Sequence, residues 1–520
     1  MLVAVHSAVV VGIDAVLVRI EADASPGTPA FAIIGLPDRA LSEARDRVRA
    51  AIIHSGFGYP PGRLLVSMSP ADIRKAGPRF DLPIALALLA TDEQIAPEHL
   101  QRTCVIGELA LDGSLRPVRG ALPTAMAAHD AGFTKLIVPV KNAAESALIG
   151  EIEVFAVETL SDAVAVVLGH GDKFRFRRTG SPPPPARLGD YADVRGQFIG
   201  KRALEIAAAG GHHAVLVGPP GCGKSMLAQR LPSILPSMTP AEALEVTKIA
   251  SIADERPPEG IAHARPFRAP HHTTSSVALA GGGTFPRPGE ISLAQHGVLY
   301  LDEIAEFSRA ALEVLRQPLE DGSITIARVA GTATYPARFT LIASMNPCPC
   351  GYHGSRTHDC RCDDAAIAKY LGKLSGPLLD RIDLHVSLAR VPFEDYAQAR
   401  AEESSATIRS RVEAARARQT ARFEHRAFAC NAAMSAADLR ALCPLDDGAL
   451  ALLETAMRRG TISARAFDRV TRVARTIADL AGCAAIARAH VAEALQYRLT
   501  ERTPRPAEGP LRDAPEPRSV

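Results

Sequence analysis

The sequence predicts an α/β fold organised around a phosphate-binding loop. Residues 214–217 are apolar and indicate a buried strand, and residues 226–231 favour a helix. Between them stands the pattern G-x-x-x-x-G-K-S, which binds phosphate when a strand precedes it and a helix follows it. Its glycines let backbone N–H groups face phosphate oxygens, and the helix adds the positive end of its dipole. The loop residues are Gly218, Pro219, Pro220, Gly221, Cys222, Gly223, Lys224 and Ser225.

A second strand supplies the acids that such a loop requires. Residues 297–301 indicate another buried strand, which ends in Asp302 and Glu303. The carboxyl edge of a parallel sheet is where α/β proteins place their ligands. We expect Lys224 to reach the β- and γ-phosphates of ATP, Ser225 and Asp302 to hold Mg²⁺, and Glu303 to polarise the attacking water. The two motifs together predict a nucleotide hydrolase.

The composition fits a multidomain protein without a membrane segment. The 520 residues suffice for roughly two to four domains. A net charge of +2 excludes a uniformly basic surface, so any nucleic-acid contact must be local. The early acids Asp14, Glu21 and Asp23 argue against a signal peptide, and no apolar run approaches the length of a membrane span. We therefore expect a cytoplasmic protein.

Residues 1–168 are expected to form a first domain of the α+β class. Residues 9–20 and 64–67 have the β-branched content of strands, and residues 38–54 show the apolar spacing of a helix. Residues 169–190 follow as a linker that carries four basic residues and then Ser181 and four prolines. The basic residues could contact a phosphate backbone, but a solvated, semi-rigid tether is favoured.

Two stretches of the first domain, residues 69–83 and 107–129, resemble the Lon protease (S5-like) fold. Lon enzymes use a serine after Lys-x-Gly-Pro and a lysine shortly before Ala-Ala-His. Here Arg79 and Thr124 stand in those places. A serine nucleophile needs a neighbouring base, and this site offers neither member of the pair. The resemblance therefore implies a Lon-like domain that is proteolytically inactive.

The nucleotide-binding module is expected over residues 191–390, with an insertion after the loop. Residues 265–290 are rich in Gly, Pro and His and are too numerous for a plain connection. His271 and His272 allow two interpretations, a metal site or turn and interface residues beside the nucleotide. The second is favoured because no acid or cysteine stands at ligand spacing.

Two further elements of this module contribute polar groups. Residues 323–338 predict a β-hairpin with a turn at Gly331 and with Arg328 near its tip. Residues 339–345 predict a buried strand that ends in Asn346. An amide at that edge suits a γ-phosphate or water contact, although it could also simply cap the following turn.

Four cysteines follow as C-x-C, nine residues, C-x-C. Cys348, Cys350, Cys360 and Cys362 match a tetrahedral zinc site in number and proximity, although C-x-C is tighter than the usual spacing. Free thiols or redox pairs are the alternative. His353 and His358 are spare ligands if one cysteine does not bind.

The C-terminal part of the chain is expected to be helical. Residues 375–383 predict a helix stop and turn that presents Arg381 between carboxylates, for which a structural salt bridge is the alternative. Residues 391–502 predict a helical lid, and Ser463, Ala464 and Arg465 open one of its helices. Residues 503–520 are rich in Pro, Arg and Glu and are expected to be disordered.

Taken together, these motifs resemble the Mg-chelatase-like AAA+ ATPases known as YifB or ComM, from Val9 to about Arg498. The most specific matches are residues 35–38, 210–213, 265–272, 346–351 and 375–383. Family members usually read His-Asn-Gly before the strand that carries the acids, whereas this chain has Gln295-His296-Gly297. The difference leaves Asp302 and Glu303 in place and concerns only what the histidine does.

The resemblance implies a P-loop AAA+ module with a helical lid, assembled as a homo-hexameric ring whose ATP sites lie between subunits. In that ring Asn346 is sensor 1, Arg381 is an arginine finger that acts on the neighbouring subunit, and Arg465 is sensor 2. The resemblance also implies a DNA helicase that drives branch migration of single-stranded DNA in natural transformation. The hairpin around Arg328 would face single-stranded or branched DNA in the pore.

Two other functions are compatible with the same motor. A metal-chelatase motor would drive insertion of Mg²⁺ into a porphyrin, would need larger partner subunits and would not respond to DNA. A chaperone or adaptor would use the Lon-like domain to hold protein clients. Stimulation of ATP hydrolysis by DNA separates all three functions.

Overall fold

The computed structural model describes residues 2–38, 41, 43–75, 77–178, 189–253, 260–283, 286–328, 331–355, 358–391, 402–426 and 428–498. All four prolines of the predicted linker and all of residues 503–520 lie outside these ranges. The described chain is a mixed α/β structure with two main sheets. Within it, no helix has both the length and the apolarity to cross a membrane.

The N-terminal sheet has seven strands in the order β3-β4-β2-β1-β5-β8-β9 and mixes parallel with antiparallel pairs. Its strands and those of a small separate ribbon are β1 Leu2–Val11, β2 Asp14–Ser25, β3 Ala30–Ile34, β4 Arg63–Ser69, β5 Thr103–Val105, β6 Glu108–Leu109, β7 Leu115–Arg116, β8 Lys135–Pro139 and β9 Glu153–Val157. Its helices are α1 Ala44–His54, α2 Asp81–Thr91, α3 Ala121–Asp130, α4 Ala143–Ser146 and α5 Leu160–Val167.

The predicted strand content of residues 9–20 belongs to two strands, because β1 and β2 form a hairpin that turns at Gly12 and Ile13. Gly12 has φ +63°, a left-handed conformation that glycine adopts without steric cost. The apolar, β-branched content on both sides of this glycine concealed the turn in the sequence.

The second sheet is entirely parallel, with strand order β11-β12-β15-β10-β16. Its strands are β10 Ala214–Val217, β11 Phe267–Arg268, β12 Val298–Leu301, β15 Thr340–Met345 and β16 Leu384–Ser387, and β13 Ser323–Arg328 pairs with β14 Gly331–Pro336 as the predicted hairpin. The helices of this part are α6 Phe198–Gly210, α7 Lys224–Arg230, α8 Pro240–Ile252, α9 Ser276–Ala280, α10 Glu290–Leu293, α11 Arg309–Glu313, α12 Arg316–Asp321, α13 Asp364–Leu371 and α14 Gly376–Leu379.

The described residues from 402 to 498 are mainly helical, as predicted. The helices are α15 Ser405–Arg422, α16 Ala436–Leu442, α17 Asp447–Arg458, α18 Ala464–Leu480 and α19 Arg488–Gln496. Ser463 caps α18 by accepting a hydrogen bond from the backbone N–H of Ala466. The apolar faces of α15 and α18 pack against α6 in one continuous core with β10 and β16. The helical part is therefore fixed to the parallel sheet.

Helix α8 joins the N-terminal sheet to the nucleotide-binding module. The backbone N–H of Gly120, at the start of α3, donates to the carbonyl of Ser251 in α8 over 2.8 Å. Lys248 of the same helix lies 2.5 Å from Asp14 in the β1–β2 hairpin. The turn residue Gly12 also lies close to the carbonyl of Thr334 in β14. The N-terminal part therefore contacts both α8 and the β13–β14 hairpin of the nucleotide-binding module.

Candidate nucleotide site

The phosphate loop lies at the carboxyl end of strand β10, the neighbour of the central strand β15. Lys224 donates from Nζ to the carbonyls of Gly218 (2.7 Å) and Pro219 (3.1 Å) and to Asn346 Oδ1 (3.1 Å). Burial lowers the pKa of Lys224. Gly221 and Gly223 have φ +75° and +91°, so the loop takes turns that other residues adopt only with strain. The structure thus brings the lysine and the predicted sensor amide together.

Strand β15 lies between β10 and β12 and joins the loop to the two acids. Ser225 Oγ donates to Asp302 Oδ2 over 3.0 Å, and Ser344 of β15 donates to the other oxygen of Asp302. Burial alone would raise the pKa of Asp302, but hydrogen bonds from Ser344, Tyr300 and Ser225 outweigh it and lower that pKa. An ionised carboxylate beside a hydroxyl is a fitting pair of ligands for Mg²⁺.

Glu303 is held in an unusual backbone conformation at the end of β12. Its φ is +52°, and its N–H donates to Ser344 Oγ (3.3 Å) and to Asp302 Oδ1 (3.1 Å). Its carboxylate is about half exposed and lies 3.9 Å from His272 Nδ1. A left-handed non-glycine residue is costly and is found mainly where function requires it. The charge of this carboxylate also acts on Lys224 of the loop.

His272 therefore lies beside the nucleotide site, as the favoured interpretation of the histidine pair expected. His271 packs against it with ring centroids 4.1 Å apart. Within the described ranges the four cysteines form the one group of three or more His, Cys, Asp and Glu side chains close enough to share a metal.

Arg381 and Arg465 lie on the far side of the sheet from the loop. Arg381 comes three residues before β16, whose first residue pairs with the first residue of β10, whereas the loop follows the last residue of β10. Strands of four residues place these two edges roughly 10 Å or more apart. Arg381 forms an ion pair with Glu320, and Arg465, with a side chain 86% exposed, lies 4.0 Å from Asp380. All four of these side chains line one pocket of about 270 Å³.

The motif at residues 210–213 fixes this edge of the sheet to the helical part. The imidazole of His212 bonds Asp383 Oδ2 through Nδ1 (2.9 Å) and Thr476 Oγ1 of α18 through Nε2 (2.7 Å). Arg469 of α18 donates to the other Asp383 oxygen over 3.2 Å. A side chain at Gly210 would collide with His212 and Thr476, so only glycine fits. The segment that carries Arg381 is thus attached to α18.

The residues before β12 connect the acids to helix α8. His296 Nε2 lies 2.5 Å from Glu245 Oε2, which also accepts from Gln295 over 2.9 Å. The N–H of Arg338, at the base of the hairpin, donates to Gln295 Oε1 over 2.6 Å. The hydrogen bond of His296 lowers the pKa of Glu245. The histidine of this variant motif therefore links α8 to the strand that carries Asp302 and Glu303.

The four cysteines converge, and we call residues 348–362 the cysteine knuckle. The sulfur atoms of Cys348, Cys350, Cys360 and Cys362 all lie within 4.8 Å of one another, and three of the pairs are separated by 3.4, 3.6 and 3.7 Å. Four thiolates around zinc at about 2.3 Å would stand about 3.8 Å apart. The donor set and its geometry therefore fit a tetrahedral zinc ion.

The two residues in the Lon dyad places hydrogen-bond to each other. Arg79 Nη2 donates to Thr124 Oγ1 over 2.8 Å, and Thr124 donates to the carbonyl of Gly120. Both side chains are buried, and burial lowers the pKa of Arg79 to about 10. The site therefore holds a hydrogen-bonded cation in place of a nucleophile and its base.

Arg328 is exposed at the last described pair of the hairpin, opposite Gly331. It borders a groove of about 350 Å³. The groove is lined by the hairpin, by residues of α9 such as Val277 and by residues around α11 such as Glu313. The hairpin prediction is confirmed, whereas a contact of Arg328 with DNA remains a prediction.

Sequence comparison defines the class of this P-loop protein. Residues 20–142 match the family model "Subunit ChlI of Mg-chelatase", residues 190–396 match "Magnesium chelatase, subunit ChlI", and residues 402–498 match the C-terminal model of the same subunit. A magnesium-chelatase 67 kDa subunit from Chlorobaculum tepidum is 26% identical over 161 residues, which cover 30% of this chain and 23% of that protein.

Relatives that match this chain over nearly their whole length define its family. An uncharacterized protein from Mycobacterium tuberculosis is 45% identical over 496 residues, 95% of this chain and 98% of that protein. The competence protein ComM from Haemophilus influenzae is 42% identical over 504 residues, 96% of this chain and 97% of that protein. The uncharacterized protein YifB from Escherichia coli is 42% identical over 499 residues, 96% and 97% of the two chains. The chain belongs to the YifB/ComM family of Mg-chelatase-like AAA+ proteins.

Three residues of the site were missed by sequence reasoning. Ser344 bonds Asp302 and the backbone of Glu303, Glu245 pairs with His296, and Glu320 pairs with Arg381. Only Ser344 left a signal, since it is a polar residue near the carboxyl end of a mainly apolar strand.

Proposed function

We propose that this protein is an ATP-hydrolysing AAA+ motor that works on DNA as a hexameric ring. The observation that carries the proposal is the convergence of Lys224, Ser225, Asp302, Glu303 and Asn346 at one edge of a parallel sheet. Each side chain stands where the chemistry of phosphoryl transfer to water requires its type. Family membership supports the same reaction.

The roles of the residues follow from their positions. Lys224 and the loop N–H groups hold the β- and γ-phosphates, and Ser225 and Asp302 hold the cation. When bound, Mg²⁺ neutralises charge on the phosphate oxygens. Glu303 accepts a proton from the water that attacks the γ-phosphorus, and Asn346 orients that water or the γ-phosphate.

A ring supplies what a single chain lacks. Arg381 and Arg465 lie at the edge of the sheet opposite their own phosphate loop, so we assign both to the nucleotide of the neighbouring subunit. A planar guanidinium suits the dispersed charge of the transition state. To act there, Arg381 must exchange its ion pair with Glu320 for the γ-phosphate.

DNA is the substrate that the relatives favour. The protein ComM, similar over nearly the whole chain, is named for competence. We propose that the motor drives branch migration of incoming single strands during natural transformation in the cytoplasm. We assign Arg328 to DNA in the pore, because it is basic and exposed and its hairpin is inserted between β12 and β15.

A chelatase motor is the second candidate, and the family models that match the chain favour it specifically. A chelatase would respond to partner subunits and porphyrin but not to DNA. The similarity spans only 23% of the 67 kDa chelatase subunit, which weakens this alternative.

The deciding experiment measures phosphate release with and without single-stranded and branched DNA. We expect DNA to stimulate hydrolysis severalfold and Arg328→Ala to reduce the stimulation. Arg458→Ala, which removes an exposed arginine from α17, is the matched control and should retain it. A rate that no DNA changes would refute the DNA motor.

We also propose that the cysteine knuckle binds one zinc ion. Its four sulfur atoms have the number and spacing of a structural site. Elemental analysis of protein purified without chelator should find about one zinc per chain. The absence of any bound metal would refute the assignment.

A further inference from the structure

The cysteine knuckle packs directly on the phosphate loop. Gly351, between the two cysteine pairs, has φ +84°. A Cβ atom added there would lie 2.7 Å from Cδ and 2.9 Å from Cγ of Pro220, and 3.8 Å from Cγ of Asn346. The backbone of the knuckle therefore touches the loop and its sensor amide with no room for a side chain.

A second contact ties the knuckle to the same proline. Arg390 Nη2 lies 3.5 Å from the carbonyl oxygen of Pro220, and its other terminal nitrogen lies 3.5 Å from His358 Nδ1. The guanidinium stands 5.7 Å from the centre of the Tyr352 ring, which stacks on His358 with centroids 4.8 Å apart. Tyr352 and His358 come from opposite arms of the knuckle, so Arg390 contacts the loop and both arms.

The knuckle has little else to hold its shape. Among the described residues it contains no helix or strand between β15 and α13, and its cysteines form no disulfide. A segment of this kind is ordered by metal binding, because one ion fixes four side chains at once. When the metal is bound, the contact of the knuckle with Pro220 is therefore as rigid as the metal site.

We infer that metal bound to the cysteine knuckle holds the phosphate loop in its binding conformation, so that metal occupancy sets the affinity for nucleotide. The inference rests on the proposed ATP site and on the proposed zinc ion, and it gives that thiolate-bound cation a role in nucleotide binding. A loop that is already in its bound conformation loses less entropy when phosphate binds. Loss of the metal should therefore weaken nucleotide binding without dismantling the sheet.

The test measures zinc content, thermal unfolding and binding of a fluorescent ATP analogue in the full-length protein without turnover. Cys360→Ser should lose the metal and bind the analogue roughly tenfold more weakly, the effect of about 1.4 kcal/mol. Cys483→Ser, an exposed thiol outside the knuckle, is the control and should match the wild type in all three measurements.

Gly351→Ala tests the contact separately from the metal. It should retain zinc yet bind the analogue more weakly, because the added methyl group pushes Pro220 away. Unchanged affinity in a zinc-loaded Gly351→Ala protein, or in a folded, zinc-free Cys360→Ser protein, would overturn the inference. A wild type that carries zinc but binds no nucleotide would instead refute the proposed ATPase.

Discussion

Lys224 and Glu303 act on different parts of the bound nucleotide, and their replacements should fail at different steps. Lys224→Ala removes the charge that neutralises the β- and γ-phosphates, so both binding and hydrolysis should be lost. Glu303→Gln keeps the loop intact and should bind ATP normally, yet hydrolyse it roughly 10²–10⁴-fold more slowly. Binding of a fluorescent analogue and phosphate release distinguish the two.

Glu306→Gln is the matched control for Glu303. It changes a carboxylate of the same turn that pairs with Lys373 rather than facing the loop. Its hydrolysis rate should stay near that of the wild type. Normal turnover by Glu303→Gln would show that another group polarises the water.

At the scale of elements, the attachment of α18 to the parallel sheet depends on Asp383. Burial alone would raise the pKa of this carboxyl, but its hydrogen bond from His212 and the nearby charge of Arg469 lower the pKa below its usual value. A depressed pKa in the folded state contributes stability above the unfolded pKa of about 3.9 and loses it as the pH falls further. The stability that this network contributes is therefore lost in acid.

The corresponding prediction compares Asp383→Asn with the wild type over a pH series. At pH 7 the variant should be less stable by about 3 kcal/mol, since one partner of a buried ionic network is lost. The difference should shrink below about pH 4. Chemical denaturation measures it, with Asp46→Asn, an exposed carboxylate, as the control. A difference that is constant from pH 7 to pH 3 would contradict the role of the ionised form.

Elements also show what the sequence could predict and what it could not. The phosphate loop and the strand ending in Asp302 and Glu303 have local requirements, so their residues could be identified one motif at a time. Ser344 and His272 reach the site only because β15 lies between β10 and β12 and because β11 is the neighbour of β12. Strand order is set by long-range packing, and no local pattern encodes it.

The ion pair of Arg381 with Glu320 likewise depends on long-range packing. Glu320 is 61 residues away in the chain and belongs to α12, whose position against residues 375–383 follows from the tertiary fold. Sequence analysis left a structural salt bridge as the alternative role of Arg381 without naming its partner. The structure shows an ion pair with Glu320.

At the scale of the whole molecule, the ring predicts complementation between inactive variants. Arg381→Ala should bind ATP almost normally and hydrolyse it about 10³–10⁵-fold more slowly, the usual effect of removing an arginine finger. Mixing it with Lys224→Ala should restore part of the activity, because some interfaces then join an intact loop to an intact Arg381. Phosphate release over a range of mixing ratios measures the effect.

A mixture of Lys224→Ala with Glu303→Gln is the matched control. Both changes lie in the site of one subunit, so no interface in that mixture has a complete set of residues. If mixed rings of the first pair form but recover no hydrolysis, Arg381 acts within its own subunit or only structurally.

The N-terminal part should show no protease chemistry in the intact protein. Serine-reactive probes should label no serine of residues 60–130, because Arg79 and Thr124 occupy the dyad places and bond each other. Mass spectrometry of probe-treated protein measures this, with a Lon protease as the positive control. A labelled serine in that range would reverse the assignment.

The contact between Gly120 and Ser251 affects whether a peptide could reach the Lon-like site of this chain. Helix α8 lies against the start of α3, where Thr124 and Arg79 are sealed from solvent. Restoring a serine and a lysine at those two positions would rebuild the nucleophile and its base, yet a peptide would still find the helix in its path. Restoring protease chemistry at this site would therefore take the displacement of a helix as well as two substitutions.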